Sequence, residues 1–193
     1  MRGSPQRILV WHGRRRAWSV LAVAVVLAVW GLTSVAQPTG TEYEFKAAYL
    51  YKFANFVEWP DKSFSEPRAP ITIGILGRDP FGELLDKLVK GETVNGRLFV
   101  VKRFDQPADL DSCHILFVPA SEKKRWPAIR EKIKDKTLLT VGDFDEFARS
   151  GGIINFVLFR NTVQFEINGE AAERAGLKIS SKLLRLGRPI SEK

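Results

Sequence analysis

The sequence predicts an α/β fold: a single three-layer domain with a mostly parallel sheet of about five to six strands, helices on both faces, and a C-terminal antiparallel hairpin. Three observations carry this. Residues 71–77 (Ile-Thr-Ile-Gly-Ile-Leu-Gly) are too short for a helix, β-branched, and apolar on both alternating sides, as in an interior strand covered on both faces. Arg78-Asp79-Pro80-Phe81-Gly82 follows at once and reads as a helix start, with Asp79 as cap and Pro80 at a position where no N–H is missed. Strand and helix patterns then alternate along most of the remaining chain, which is the signature of βαβ units.

Residues 1–36 contain Arg2, Arg7, Arg14, Arg15 and Arg16 and no acid, then an apolar run over 17–29, then Ser34-Val35-Ala36 before Gln37. That order predicts an export signal cleaved after Ala36. The alternative is an uncleaved anchor, since 17–35 is almost long enough to span a bilayer. Arg-Arg-Ala-Trp-Ser matches a twin-arginine signal poorly. Either way, the folded domain, residues 37–193, is expected outside the cytoplasm. The formal charge of +8 falls to +3 when those five arginines are removed, so the basic total is no argument for nucleic-acid binding. Cys113 is the only cysteine, which excludes an intramolecular disulfide, and its place before an apolar strand reads as a buried, inert thiol.

Thr41-Glu42-Tyr43-Glu44 has the form of a capping box and opens a helix. Phe45, Tyr49, Phe53 and Phe56 recur at helical spacing up to Glu58-Trp59-Pro60. This stripe is either core packing against the sheet or, at Phe56 and Trp59, a partly exposed seat for a partner. A proline-rich, charged loop over 61–70 leads into the strand at 71–77. The helix after Asp79 stops at Gly91, Asn95-Gly96 is a turn, and 97–104 is a second strand.

A third strand runs over 114–118. The helix that follows from Ser121 must kink or restart at Pro127. A fourth strand covers 136–141, and a short helix is expected over 144–149. Residues 153–159 and 162–167 flank Arg160-Asn161 as a hairpin, with Asn161 able to take a positive φ. The last helices are expected over 170–175 and 178–186, with Lys178, Lys182 and Arg185 as a basic stripe on the second.

Catalytic material is scarce. His114 is the only histidine after the signal, so no multi-histidine metal site can form, and any catalytic triad would have to pass through that residue. Ser121-x-x-Lys124 matches a serine–lysine hydrolase pattern, but Lys136-Thr137 lacks the following glycine and no Ser-Asp-Asn occurs, so Ser121 reads as a helix cap. Gly77 to Gly82 lacks the three-glycine spacing of a dinucleotide loop. No catalytic residue, metal or cofactor is therefore expected.

Open α/β sheets bind ligands beyond the carboxyl ends of their strands. Here that rim would hold Gly77, Asp79, Ser121, Glu122 and Asp143, acidic enough to suit an amine-bearing ligand. The bland alternative is that each acid merely begins a helix. The candidate partner-binding residues are Phe56, Trp59, Lys182 and Arg185.

Six motifs in order then resemble the YfiR family. They are Glu44-Phe45-Lys46-Ala47-Ala48-Tyr49-Leu50 with Phe56-Val57-Glu58-Trp59-Pro60; Leu76-Gly77-Arg78-Asp79-Pro80-Phe81-Gly82; Cys113-His114-Ile115-Leu116-Phe117-Val118; Gly151-Gly152-Ile153-Ile154-Asn155-Phe156; Phe165-Glu166-Ile167-Asn168; and Ile179-Ser180-Ser181-Lys182-Leu183-Leu184. The resemblance implies a periplasmic, non-catalytic α/β protein. It implies restraint of an inner-membrane diguanylate cyclase through that enzyme's periplasmic sensor region, and sequestration by an OmpA-like outer-membrane lipoprotein. Cyclic di-GMP signalling and biofilm formation would fall as a consequence. Self-association as a homodimer is a further expectation. The disulfide-based redox response of the family's best-understood member does not carry over, because Cys113 has no partner cysteine. The alternative function is a small-molecule sensor or solute-binding domain serving a sensor kinase or another membrane receptor.

Overall fold

The computed structural model of the chain describes residues 40–107, 110, 112–188 and 190, all within the unit Pro38–Lys193. The export signal over 1–36 and its cleavage after Ala36 lie outside the described residues. The Thr41 half of the expected capping box also falls outside the side-chain description.

The chain opens with helix α1 (Gly40–Lys52), a 3₁₀ turn (Phe53–Phe56) and the short strand β1 (Val57–Glu58). A second 3₁₀ turn (Asp61–Ser63) precedes β2 (Ile71–Leu76), α2 (Glu83–Val89), β3 (Thr93–Val94) and β4 (Arg97–Phe104). β5 (Ile115–Val118), a 3₁₀ stretch (Ala120–Arg125), α3 (Trp126–Ile133) and β6 (Leu139–Gly142) come next. The chain then forms β7 (Ile154–Phe159), β8 (Thr162–Ile167), α4 (Gly169–Arg174), β9 (Lys178–Ile179) and α5 (Ser181–Leu186).

Seven strands form one mixed sheet in the order β3-β4-β2-β5-β6-β7-β8. The five inner strands are parallel, and β3 and β8 run antiparallel at the two edges. The fold is thus α/β and mostly parallel, with seven strands rather than five to six. The extra member is Thr93–Val94, two residues that pair with Leu98 and Arg97 across the Asn95-Gly96 turn and are too short to show a period.

All six residues of β2 are buried. Ile71, Ile73 and Ile75 enter one apolar cluster with Leu50, Phe53, Leu85, Phe117 and Leu183, while Leu76 enters a second with Leu116, Val118, Trp126 and Ile129. Helical side chains thus take part in both clusters, which is why the interior strands read as continuous apolar runs.

Four helix expectations are corrected. The aromatic stripe is not one helix to Trp59: α1 ends at Lys52, and Val57–Glu58 pairs as a strand with Ile179 and Lys178. That same pairing turns Lys178–Ile179 into β9 and shortens the last helix to Ser181–Leu186, capped by the Ser180 hydroxyl. α2 begins at Glu83, because Asp79 Oδ1 instead accepts the Phe81 N–H at 2.7 Å and closes a turn. Residues 144–149 form turns, not a helix. The restart at Pro127 is seen: a 3₁₀ stretch gives way to α3, with the proline in its first turn.

Candidate functional site

The strand order β4-β2-β5 marks the reversal point of the parallel sheet, where an open α/β fold presents its crevice. Gly77 sits there at the end of β2 with φ +70°, and a Cβ on it would lie 2.4 Å from Glu122 Oε1. Glycine therefore lets the Glu122 side chain lie against the β2 turn. Glu122 is buried and accepts from Arg125 Nη1 at 2.7 Å, and Arg125 also donates to Gln106. Ser121 is exposed beside it.

The other two rim acids are engaged in the same way. Asp79 Oδ2 accepts from Arg103 Nε at 2.8 Å, and Arg103 also donates to the Gly82 carbonyl and to Asp86. That guanidinium holds the Asp86 carboxyl below its usual range. Asp143, after β6, accepts from Lys46 Nζ at 3.1 Å and from the Tyr43 hydroxyl at 3.2 Å, both on α1. Burial, with the Asp143 charge second, pushes the Tyr43 phenol well above its usual range. Each rim carboxylate is thus already ion-paired within the chain, and an arriving amine competes with an arginine or lysine for it.

At the opposite, amino ends of the strands, the His114 ring joins three segments. Its Nδ1 accepts the Thr72 N–H at 3.1 Å, which requires the neutral ring and leaves Nε2–H to donate to the Ser63 carbonyl at 3.0 Å. Phe64 stacks on the ring at 4.5 Å and Trp59 meets it edge-on at 6.3 Å. Burial depresses the His114 pKa. Cys113 next to it is buried, and desolvation pushes its thiol up to about 12, which leaves little thiolate for chemistry. Among the described residues no group of His, Cys, Asp and Glu could hold a metal ion.

A different kind of surface lies along α1, the β7–β8 hairpin and α5. A groove of about 440 Å³ is lined by Tyr49, Phe56, Val163, Phe165, Leu183 and Leu186, among others. A second hollow of about 260 Å³ shares Tyr49, Thr162 and Val163 with it and extends the surface to Phe45 and Leu158. Phe45 (59% exposed), Leu158 (54%), Phe159 (40%), Leu184 (44%) and Leu186 (63%) all stand in solvent. Cations interleave with them: Lys182 Nζ lies 5.7 Å from the Phe56 ring centre, and Arg188 and Arg160 lie 4.0 Å and 5.3 Å from that of Phe159. The Arg188 N–H also donates to the Phe165 carbonyl and so covers part of the β8 edge.

Of the sequence-predicted partner residues, Phe56, Lys182 and Arg185 share this region, the last exposed on α5, while Trp59 faces His114 instead. Leu158, Phe159, Leu184 and Leu186 were not singled out. The signal for two of them was present: adjacent apolar residues in a period-2 strand cannot both face the core.

The sequence model of the YfiR/HmsC-like family matches residues 43–188, well over half of the chain. The chain belongs to the YfiR/HmsC-like family. A search of the curated proteins finds no significant match. YfiR/HmsC-like proteins are periplasmic and generally regulatory rather than catalytic, with a link to membrane diguanylate cyclases. Among the described residues of this YfiR/HmsC-like chain, no helix is long and apolar enough to cross a membrane.

Proposed function

We propose that this chain is exported, is cleaved after Ala36, and acts in the periplasm by binding and restraining the sensor region of an inner-membrane diguanylate cyclase. Cyclic di-GMP output and biofilm formation fall when it is bound and rise when it is released. The observation that carries this reading is the apolar groove along α1, β8 and α5 with the exposed Phe45, Leu158 and Leu186 on it and Lys182 over Phe56 at its edge. Contiguous exposed apolar patches rimmed by charge mark interaction sites. Family membership supports the choice of partner class.

Gene deletion is the direct test. Intracellular cyclic di-GMP and biofilm mass rise if the reading is right, and unchanged levels sink it. Affinity capture of the exported protein from detergent-solubilised membranes then identifies the cyclase. The OmpA-like lipoprotein, implied by resemblance, is read from the same capture, and the homodimer from the mass of the purified protein in solution. The alternative reading, a solute sensor working through Gly77, Asp79, Ser121, Glu122 and Asp143, predicts that small amines raise the melting temperature.

A further inference from the structure

β6 starts at Leu139, but its pairing with β7 begins only at Val141 and Ile154. Ahead of that point the Ile153 N–H turns to the Thr140 hydroxyl, at 3.0 Å, in place of a ladder bond. The strands part there, and a hollow of about 280 Å³ opens between α3 and α4. It shares no lining residue with the α1–β8–α5 groove.

Its floor is apolar, with Trp126, Leu138, Ile153 and Ala171 all buried. Its rim is basic: Arg130, Lys134, Lys136 and Arg174 face one carboxylate, Glu131, which is already held by Lys134. Arg174 reaches Glu170 only at 3.6 Å, with both side chains largely exposed, a pairing that contributes little.

Arg130 is the pre-organised member. Its Nη1 donates to the Ser150 carbonyl at 2.7 Å, which uses one of five N–H donors. The stem lies over Gly151, where the backbone has φ +95° and a Cβ would come within 3.0 Å of Arg130 Cδ and Nη1. The Ser150 hydroxyl also accepts from Trp126 Nε1 at 2.9 Å, so one residue sets the guanidinium and the indole relative to each other. A fixed arginine fork beside an aromatic floor is the arrangement that selects a carboxylate on an apolar body.

We propose that this hollow binds a small organic anion with an apolar body, its carboxylate between Arg130 and Arg174 and its body against Trp126 and Leu138. The charge preference is opposite to that of the acidic rim, and the site stands or falls independently of the partner surface.

The test is an NMR titration of the purified protein, following the indole N–H signals of Trp126 and Trp59. Three probes are compared: phenylacetate, its uncharged analogue phenylacetamide, and inorganic phosphate. Phenylacetate is expected to move the Trp126 signal and leave Trp59 in place, while the amide and phosphate bind at least about tenfold more weakly. Arg174→Gln, on an exposed helix face, weakens phenylacetate binding about tenfold, and Arg130→Gln does the same if the variant folds. The proposal is overturned by equal binding of phenylacetamide or phosphate, by movement of Trp59 in place of Trp126, by undiminished binding to the folded Arg174→Gln protein, or by no shift with millimolar phenylacetate.

Discussion

At the carboxyl ends of the strands Asp79, Glu122 and Asp143 each meet a cation of the same chain, whereas along α1, β7 and α5 the side chains of Phe45, Leu158, Phe159, Leu184 and Leu186 meet solvent. Both regions carry residue types that draw attention in a sequence. The difference lies in whether the chain itself supplies the complement. A carboxylate paired inside the fold stabilises that fold and presents little field to a ligand, while an uncovered apolar group awaits an outside partner. On this comparison, changes at the rim act on folding and changes at the groove act on association.

The largest effect is expected at Lys46. Its ammonium is almost fully buried between Glu42 and Asp143, and the Asp143 side chain is 1% exposed, with Oδ2 taking both the lysine and the Tyr43 hydroxyl and Oδ1 buried without a hydrogen-bond partner. Lys46→Met removes the cation and leaves the carboxylate buried, at a cost of about 3–5 kcal/mol in urea unfolding. Asp143→Asn should recover part of that loss in the Lys46→Met background, because the double variant carries no buried charge at position 143. A Lys46→Met protein of unchanged stability would break the comparison at its firmest point.

Gly77→Ala comes next. Its φ of +70° disfavours any Cβ, and that Cβ would force Glu122 off the turn and away from Arg125. A loss of about 2 kcal/mol is expected from backbone strain and the displaced pair together. Truncating Glu122 to Ala in the same chain relieves the contact but not the φ, so the difference between the two variants separates the terms.

How much of this was legible depends on the range of the interaction. β2 could be read directly, because six buried residues leave an apolar run with no other explanation. The β7–β8 hairpin was legible from Arg160-Asn161, where both residues adopt positive φ, at 48° and 61°. Pairings that join distant segments left no local trace. Val57 meets Ile179, and Asp143 meets Lys46 and Tyr43, roughly a hundred residues away in each case. Residues 144–149 misled for a packing reason: Phe144 and Phe147 have helical spacing, but the Phe147 ring fills the space over Gly142 and Gly152, where added Cβ atoms would lie 2.5 Å and 2.2 Å from it. Asp79, Glu122 and Asp143 could be placed after their strands from the sequence, but the cations that neutralise them could not.

His114 offers an intermediate test, because it donates to the Ser63 carbonyl of the loop over 61–70 and accepts the Thr72 N–H of β2, the second of which only the neutral ring can do. Burial places its folded pKa below the ordinary 6.5, so its contribution is fully present above that value. As pH falls through about 6.5 the unfolded chain takes up a proton the folded ring resists, and stability drops until the folded pKa is passed. Arg97, whose guanidinium lies 3.6 Å from the Phe64 ring centre, adds to the resistance. His114→Ala should abolish this acid-side slope and cost about 1–3 kcal/mol at neutral pH by leaving the buried Thr72 N–H unpaired. Chemical unfolding at a series of pH values reads both.

The smallest change in stability is expected where the largest change in regulation is. Leu186 is 63% exposed and Phe159 40%, so Leu186→Glu and Phe159→Asp remove little buried area and should shift unfolding by no more than about 0.5 kcal/mol. The Phe159 change also brings a carboxylate to Arg160 and Arg188, which weakens any acidic partner's hold on those cations. If the groove seats the cyclase sensor region, cells carrying Leu186→Glu show the cyclic di-GMP level and biofilm mass of the deletion strain while the protein accumulates normally, and Phe159→Asp, on the hairpin face turned away from Leu158, does the same only where the partner also wraps the hairpin. Wild-type regulation by both variants would place the partner elsewhere. A loss of folding in both would mean the groove, like the rim, is complemented from within the chain.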